Sequence, residues 1–262
     1  MAEPLIPFAI DALKRGLATR FVGRQVRYYA TLASTQDVAR TVAIHGALEG
    51  EVHLADEQVA GRGRFDRRWL APPMSSVLMS TILRPTTAVS WRLFMIAALA
   101  ILDAIEASTG LRGDIKWPND VLLNDKKVAG VLVETEFIGN VPAFSIVGTG
   151  INVNIDAATL AGLLYPATSL AIETGRFVER EAFARSLMES LERWYVEAGN
   201  GGDVRDAWRS RVSTIGKQIV ARMGSETVSG LAEDVDADGS LLLRRSDGSL
   251  VTLIAGEVTL QR

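Results

Sequence analysis

Hydrophobic positions alternate between two periods along most of the chain. Apolar residues at helical spacing over residues 6–17, stopping near Gly16, predict a short helix ahead of a strand at 25–30. The stretch Leu32-Ala33-Ser34-Thr35-Gln36-Asp37 then leads from strand into a helix at 38–44. Strands are predicted at 51–58, apolar at Val52 and Leu54, and at 75–83. Residues 91–108 are apolar nearly all round a helix, so this helix is expected to be buried against a sheet. A hairpin follows, 121–124 and 128–137, joined by Asn124-Asp125-Lys126-Lys127, then a strand at 143–153 and helices at 180–198 and 204–211. Beyond Gly216 short alternating strands take over, at 218–222, 227–235, 241–244 and 250–254, with turns at 224–225, 238–239 and 247–248. The fold class is therefore α+β: a mixed or antiparallel sheet flanked by helices over 1–214, and a small all-β barrel over 215–262 that is too short to bury much alone.

Composition narrows the function classes. With 48% hydrophobic and 23% charged residues over 262 positions, the chain suits a globular protein with a sizeable core. Its net charge of −3 argues against a protein devoted to a nucleic-acid backbone. The absence of cysteine excludes disulfides, thiolate metal sites and thiol nucleophiles. His45 and His53 lack a third ligand nearby, and no Gly-x-Ser-x-Gly elbow is present. The first residues lack the basic flank and apolar run of a signal peptide, and no stretch has membrane-spanning character, which places the chain in the cytoplasm by expectation. The segment before the first motif is shorter than a helix-turn-helix module, so no DNA-binding role is expected.

Chemistry concentrates in four stretches. Residues 61–69, Gly-Arg-Gly-Arg-Phe-Asp-Arg-Arg-Trp, hold four arginines, fit neither period and read as a loop. Glycines let its backbone approach a ligand, and guanidinium forks match carboxylate or phosphate oxygens; the plainer reading is a solvated basic turn. Ser34 and Thr35 read as helix N-caps or, at a strand end, as donors to a small polar ligand. Gln58, at the mouth of the loop, carries an amide suited to a urea-like ligand. In Gly113-Asp114-Ile115-Lys116-Trp117-Pro118-Asn119-Asp120, proline extends Trp117 and Asn119-Asp120 favour a turn. Lys127 opens a strand, with Gly130 leaving room for an inward ammonium. Gly148-Thr149-Gly150 weakens a central strand before Ile151-Asn152, which calls for close packing of a ligand or another backbone.

These blocks, in this order and over nearly the whole chain, resemble the biotin protein ligases, here without an N-terminal DNA-binding domain. The resemblance implies a class II synthetase-like catalytic domain with an SH3-like C-terminal barrel. It implies two steps: biotin and ATP give biotinyl-5′-AMP and pyrophosphate, and a lysine of a carboxylase biotin carrier domain then displaces AMP. It places Ser34, Thr35, Gln36, Gln58, Arg62, Gly63, Arg64, Lys127 and Gly130 around biotin. Arg64, Arg67, Trp69, Lys116, Asn119, Asp120 and Asn152 fall to ATP, Trp69 packing on adenine and Asn152 bonding its edge. Arg62, Arg64, Arg67 and Lys127 would neutralise the two reacting anions, and Asp120 would orient the acceptor lysine. Mg2+ would be held mainly by phosphates, with Asp120 the nearest protein partner.

Two departures stand out. Gln36 occupies a position where the family has asparagine, so its amide is displaced by a methylene, and Phe65-Asp66 replaces glycine or basic residues, with Asp66 able to pair with an arginine of its own loop. An empty loop of this charge is expected to be mobile and to order as ligands supply counter-charge. A lipoate or octanoyl transferase is the rival reading, disfavoured by the polar set Ser34, Thr35 and Gln58; a nucleic-acid module and a catalytically dead homologue are weaker ones. The sequence leaves open whether the chain is a monomer or a homodimer.

Overall fold

The computed structural model describes residues 5–65, 67–163, 165–223, 226–254 and 256–260. The order of elements is α1 (Ile10–Lys14), β1 (Val26–Leu32), α2 (Thr35–Ile44), β2 (Val52–Gln58), β3 (Ser76–Leu83), α3 (Thr87–Ser90) and α4 (Leu93–Thr109). There follow β4 (Asp114–Lys116), β5 (Asp120–Leu123), β6 (Lys126–Ile138), β7 (Val141–Asn152), α5 (Ala157–Leu160), α6 (Leu170–Thr174), α7 (Arg180–Gly199) and α8 (Val204–Arg209). Five short strands complete the order: β8 (Gln218–Met223), β9 (Glu226–Val235), β10 (Leu241–Arg244), β11 (Leu250–Leu253) and β12 (Glu257–Leu260).

The main sheet runs β1-β2-β3-β7-β6-β5-β4. Only β1 and β2 pair in parallel; the remaining neighbours are antiparallel, so the sheet is mixed. Helix α4 is buried on almost every side, as its apolar circumference dictates, and it packs against α7 and the sheet. Gly110, in the left-handed region at φ 74°, ends it. On the opposite face α2 lays Ala39 and Ala43 against Ile82, Phe144 and Ile146. Coverage from both sides explains why every residue of β3 is buried, without the alternation of a half-exposed strand. The hairpin between β5 and β6 turns on Asn124 and Asp125, at φ 50° and 60°, the left-handed geometry that these two residue types tolerate.

The second sheet, β11-β10-β9-β8-β12, is antiparallel throughout. It leans on the first through Trp117, whose indole N–H donates to the Gly239 carbonyl at 2.8 Å. Several boundaries shift from expectation: α1 is shorter, α2 starts three residues earlier at Thr35, and α4 starts at Leu93. Strands β4 and β12 and helices α3, α5 and α6 carry too few residues to register as periods. The turn expected at 224–225 and the residue Asp66 lie outside the described residues.

Candidate functional site

The site begins where β1 ends and α2 starts. Ser34 takes the N-cap position but makes no side-chain cap bond. The capping expectation for Ser34 and Thr35 is thus overturned: Gln58 Oε1, reaching over from β2, accepts from the Thr35 amide at 2.7 Å and from Thr35 Oγ1 at 2.9 Å. One amide oxygen from the neighbouring strand thereby satisfies a free N–H of the first helical turn. The Thr35 hydroxyl lies 2.8 Å from Ser80 Oγ on β3, which in turn donates to Gln36 Oε1 at 3.1 Å. Gln36 Nε2 donates to the Ile146 carbonyl at 3.2 Å. Ser34, Thr35, Gln36 and Ser80 are all buried, and together with Gln58 they form a neutral, internally bonded wall.

Beside this wall the sheet offers a trough floored by glycine. Gly130 and Gly150 face each other across β6 and β7, and Gly148 lies two residues from Gly150. A Cβ at Gly148 would sit 2.4 Å from Gln36 Oε1, and one at Gly150 would sit 2.6 Å from Trp69 Cε2. At Gly130 it would lie 3.1 Å from Trp69 Cζ3 and 3.2 Å from Lys127 Nζ. The glycines were expected to make room for a ligand or another backbone; the neighbours they admit are side chains of the site itself. The Trp69 indole is laid on the strands, with its buried N–H lacking a partner among the described residues.

The arginine stretch is a folded-back flap. Gly63 N donates to Arg67 O at 2.7 Å and Trp69 N to Gly61 O at 2.9 Å, with Arg62 bridged to Arg68 and Phe65 at φ 55° near the tip. Arg64 turns inward, where Nη1 donates to Asn119 Oδ1 at 2.9 Å. Burial pushes its guanidinium below the usual arginine range, and Asp120 opposes that shift. Asn119 is itself fixed by donating to the Val131 carbonyl at 2.6 Å. Lys127 Nζ lies 2.6 Å from Asp120 Oδ1 and 5.5 Å from the Trp69 ring centre, so the ammonium does face inward. Arg64, Lys127 and Asp120 therefore occupy one neighbourhood. Arg62 turns away, its guanidinium gripping Glu134 on β6 at 2.7 and 2.9 Å and Asp37 on α2 at 2.8 Å.

A second group of cations stands at the rim. Arg67 and Lys116 lie 5.3 and 5.7 Å from the ring centre of Tyr165. Asn152 is buried at the end of β7, where Nδ2 donates to the Thr168 carbonyl at 3.0 Å. The segment carrying Tyr165 and Thr168 is tied to the start of β6, with Lys127 N donating to Pro166 O and Thr168 N to Lys127 O, both at 2.9 Å. Sequence reasoning missed Tyr165 and Thr168 because their segment has no period, and missed Ser80, Asp37 and Glu134 because each resembles an ordinary strand or helix residue. A lone aromatic between Pro and Leu was the only signal for Tyr165.

The chemistry of these donors bears on magnesium. The Asp120 carboxylate is already matched by the Lys127 ammonium, and among the described residues no cluster of three metal-ligating side chains exists. The described residues do not form a resident metal site.

Residues 28–152 match the biotin/lipoate A/B protein ligase family, and residues 214–260 match the biotin protein ligase C-terminal domain. The biotin--[acetyl-CoA-carboxylase] ligase of Paracoccus denitrificans is 38% identical over 208 residues, covering 76% of this chain and 85% of that protein. Its counterpart in Mycobacterium tuberculosis is 32% identical over 264 residues, covering 94% of each. The bifunctional ligase/repressor BirA of Bacillus subtilis is 35% identical, covering 90% of this chain and 74% of that protein. In fold, the chain is similar to the biotin protein ligase of Aquifex aeolicus solved with biotin and ATP, at TM-score 0.75 and 24% identity, over 91% of this chain and 99% of that one.

Proposed function

Because the chain belongs to the biotin protein ligase family, we propose that the trough and its two cationic groups join biotin to ATP and pass the product to a protein lysine. The enzyme is a ligase: biotin carboxylate attacks the α-phosphate of ATP, pyrophosphate leaves, and the amine of a carrier lysine displaces AMP from the mixed anhydride. The neutral wall of Ser34, Thr35, Gln36 and Gln58, with the flap backbone at Arg62 and Gly63, receives the ureido ring. A preformed set of hydroxyls and amides suits a urea and offers nothing to an alkyl chain, which sets biotin apart from lipoate as substrate. The single observation that carries this reading is the convergence of Arg64 and Lys127 on Asp120 beside the polar trough.

That convergence has a chemical use. Bringing a carboxylate against a phosphate sets two anions together, and half-buried cations lower the cost more than exposed ones do. The Asp120 carboxylate holds the Lys127 ammonium in place until the substrates supply charge, and then becomes available to orient the acceptor amine. Arg67 and Lys116 over Tyr165 receive the triphosphate end, with magnesium arriving as the counter-ion of ATP. The half-buried Trp69 indole supports adenine, and Asn152 lies at its edge. The acceptor is a biotin carrier domain of a carboxylase. Among the described residues no helix is long and apolar enough to cross a membrane; we place the reaction in the cytoplasm.

The test is incubation with labelled ATP, magnesium and either biotin or lipoate. Pyrophosphate release and biotinyl-AMP with biotin alone are expected; equal or greater turnover with lipoate contradicts the assignment.

A further inference from the structure

Two arginines separated by one glycine take opposite directions in the flap, and the chemistry above uses only the inward one. Arg62 meets Glu134 with both ends of its fork, at 2.9 and 2.7 Å, and Asp37 at 2.8 Å. These carboxylates belong to β6 and α2, outside the flap, so the contact is a tether from the lid to the body. We propose that Asp37 and Glu134 form a carboxylate latch that holds the flap shut through Arg62 and so sets how long the activated intermediate is retained. The inference rests on the ligase reading above. It makes the Arg62 side chain a positioning group and leaves anion neutralisation at the reacting centre to Arg64 and Lys127.

The charge balance favours this role. Two carboxylates around one guanidinium leave a surplus negative charge, which repels an incoming carboxylate or phosphate from Arg62. Opening the flap would leave the two acids facing each other without their shared cation, which pulls the lid back. The bidentate plane on Glu134 fixes direction as well as distance, which a lysine could not reproduce. The flap's backbone bonds from Gly63 to Arg67 and from Trp69 to Gly61 are internal, so they fold the flap without closing it. When substrates draw on Arg64, the latch on the other side is untouched. Its side chains are 34 to 53% exposed, so salt weakens it.

Limited trypsinolysis of the ligand-free protein reads the latch directly, because the bonds after Arg64, Arg67 and Arg68 lie in the flap. In the Asp37→Asn/Glu134→Gln double variant, cutting there and the release of preformed biotinyl-AMP should both rise about tenfold, each single variant giving less. Carrier biotinylation at saturating biotin and ATP should stay within about twofold of wild type, and half-molar salt should bring wild-type cutting toward the double variant's rate. Wild-type rates of both cutting and release in the double variant overturn the latch, as does acceleration spread over the whole chain. Cutting needs no ligand, so it decides the latch even where biotin yields no adenylate, the result that would instead remove the ligase reading.

Discussion

The wall at the start of α2 and the flap beside it are built from opposite materials. The wall holds Thr35, Gln36, Gln58 and Ser80 by short neutral hydrogen bonds, with most of these groups out of water. The flap is tied down by guanidinium groups, of which Arg62 is exposed and only Arg64 is sheltered. A buried neutral network is costly to break, because a lost partner strands a desolvated group, whereas an exposed ion pair contributes little and yields to salt. On the roles proposed above, rigidity lies where the small ring is recognised and reversibility where the lid opens.

Single changes can break this comparison. The largest effect is expected for Lys127→Gln, which removes the inward ammonium and leaves Asp120 unmatched: adenylate synthesis should fall by about 100-fold or more. Calorimetry should find biotin affinity reduced by much less than the rate, since the wall is intact while one cation facing the carboxylate is lost. Gly150→Ala comes next, because its Cβ would lie 2.6 Å from Trp69 Cε2 and displace the indole. Steady-state kinetics should show the KM for ATP raised by about tenfold, with that for biotin moving less. Thr35→Val removes the hydroxyl bond to the Gln58 oxygen and the contact to Ser80, while the residue-35 amide and the Gln36 oxygen still bond these groups. Chemical denaturation should therefore read a loss of about 0.5–1.5 kcal/mol together with a raised KM for biotin.

Smaller effects sharpen it further. Half-molar salt should speed trypsin cutting in the flap while leaving the wall's amide protons protected against hydrogen exchange. The smallest effect concerns His53, fully buried in β2 with Nδ1 3.2 Å from Tyr29 Oη. Burial lowers its pKa from the ordinary 6.5. The unfolded chain therefore takes up a proton that the native imidazole refuses, so stability is full above about pH 6.5 and declines below it. Thermal melting between pH 7 and 5 should show this slope, reduced in His53→Gln.

Much of this architecture is legible from the residues, for identifiable reasons. The apolar Val52 and Leu54 of β2 and the all-round apolar α4 mark the sheet and its buried helix. The arginine flap, Lys116 to Asp120 and Lys127 are legible because charge and glycine together at strand ends have few structural uses. What escaped reading is long-range. Arg62 and Glu134 stand 72 residues apart, and nothing local distinguishes Glu134 from a solvated strand glutamate. Gln58 takes the cap of α2 from 23 residues away, where the sequence offered Ser34 for that role. The glycines of β6 and β7 signalled close approach but not by what, since Trp69 and Gln36 reach them only after the flap and α2 have folded back.

The shared position of Arg64 and Lys127 around Asp120 is tested most directly by a double-mutant cycle. Single-turnover formation of biotinyl-AMP is measured in wild type, Arg64→Gln, Lys127→Gln and the pair. If both cations serve one reacting centre, the double variant departs from the product of the single effects by about fivefold or more, the signature of neighbours that act together. Strictly multiplicative effects, or a double variant as fast as wild type, contradict it.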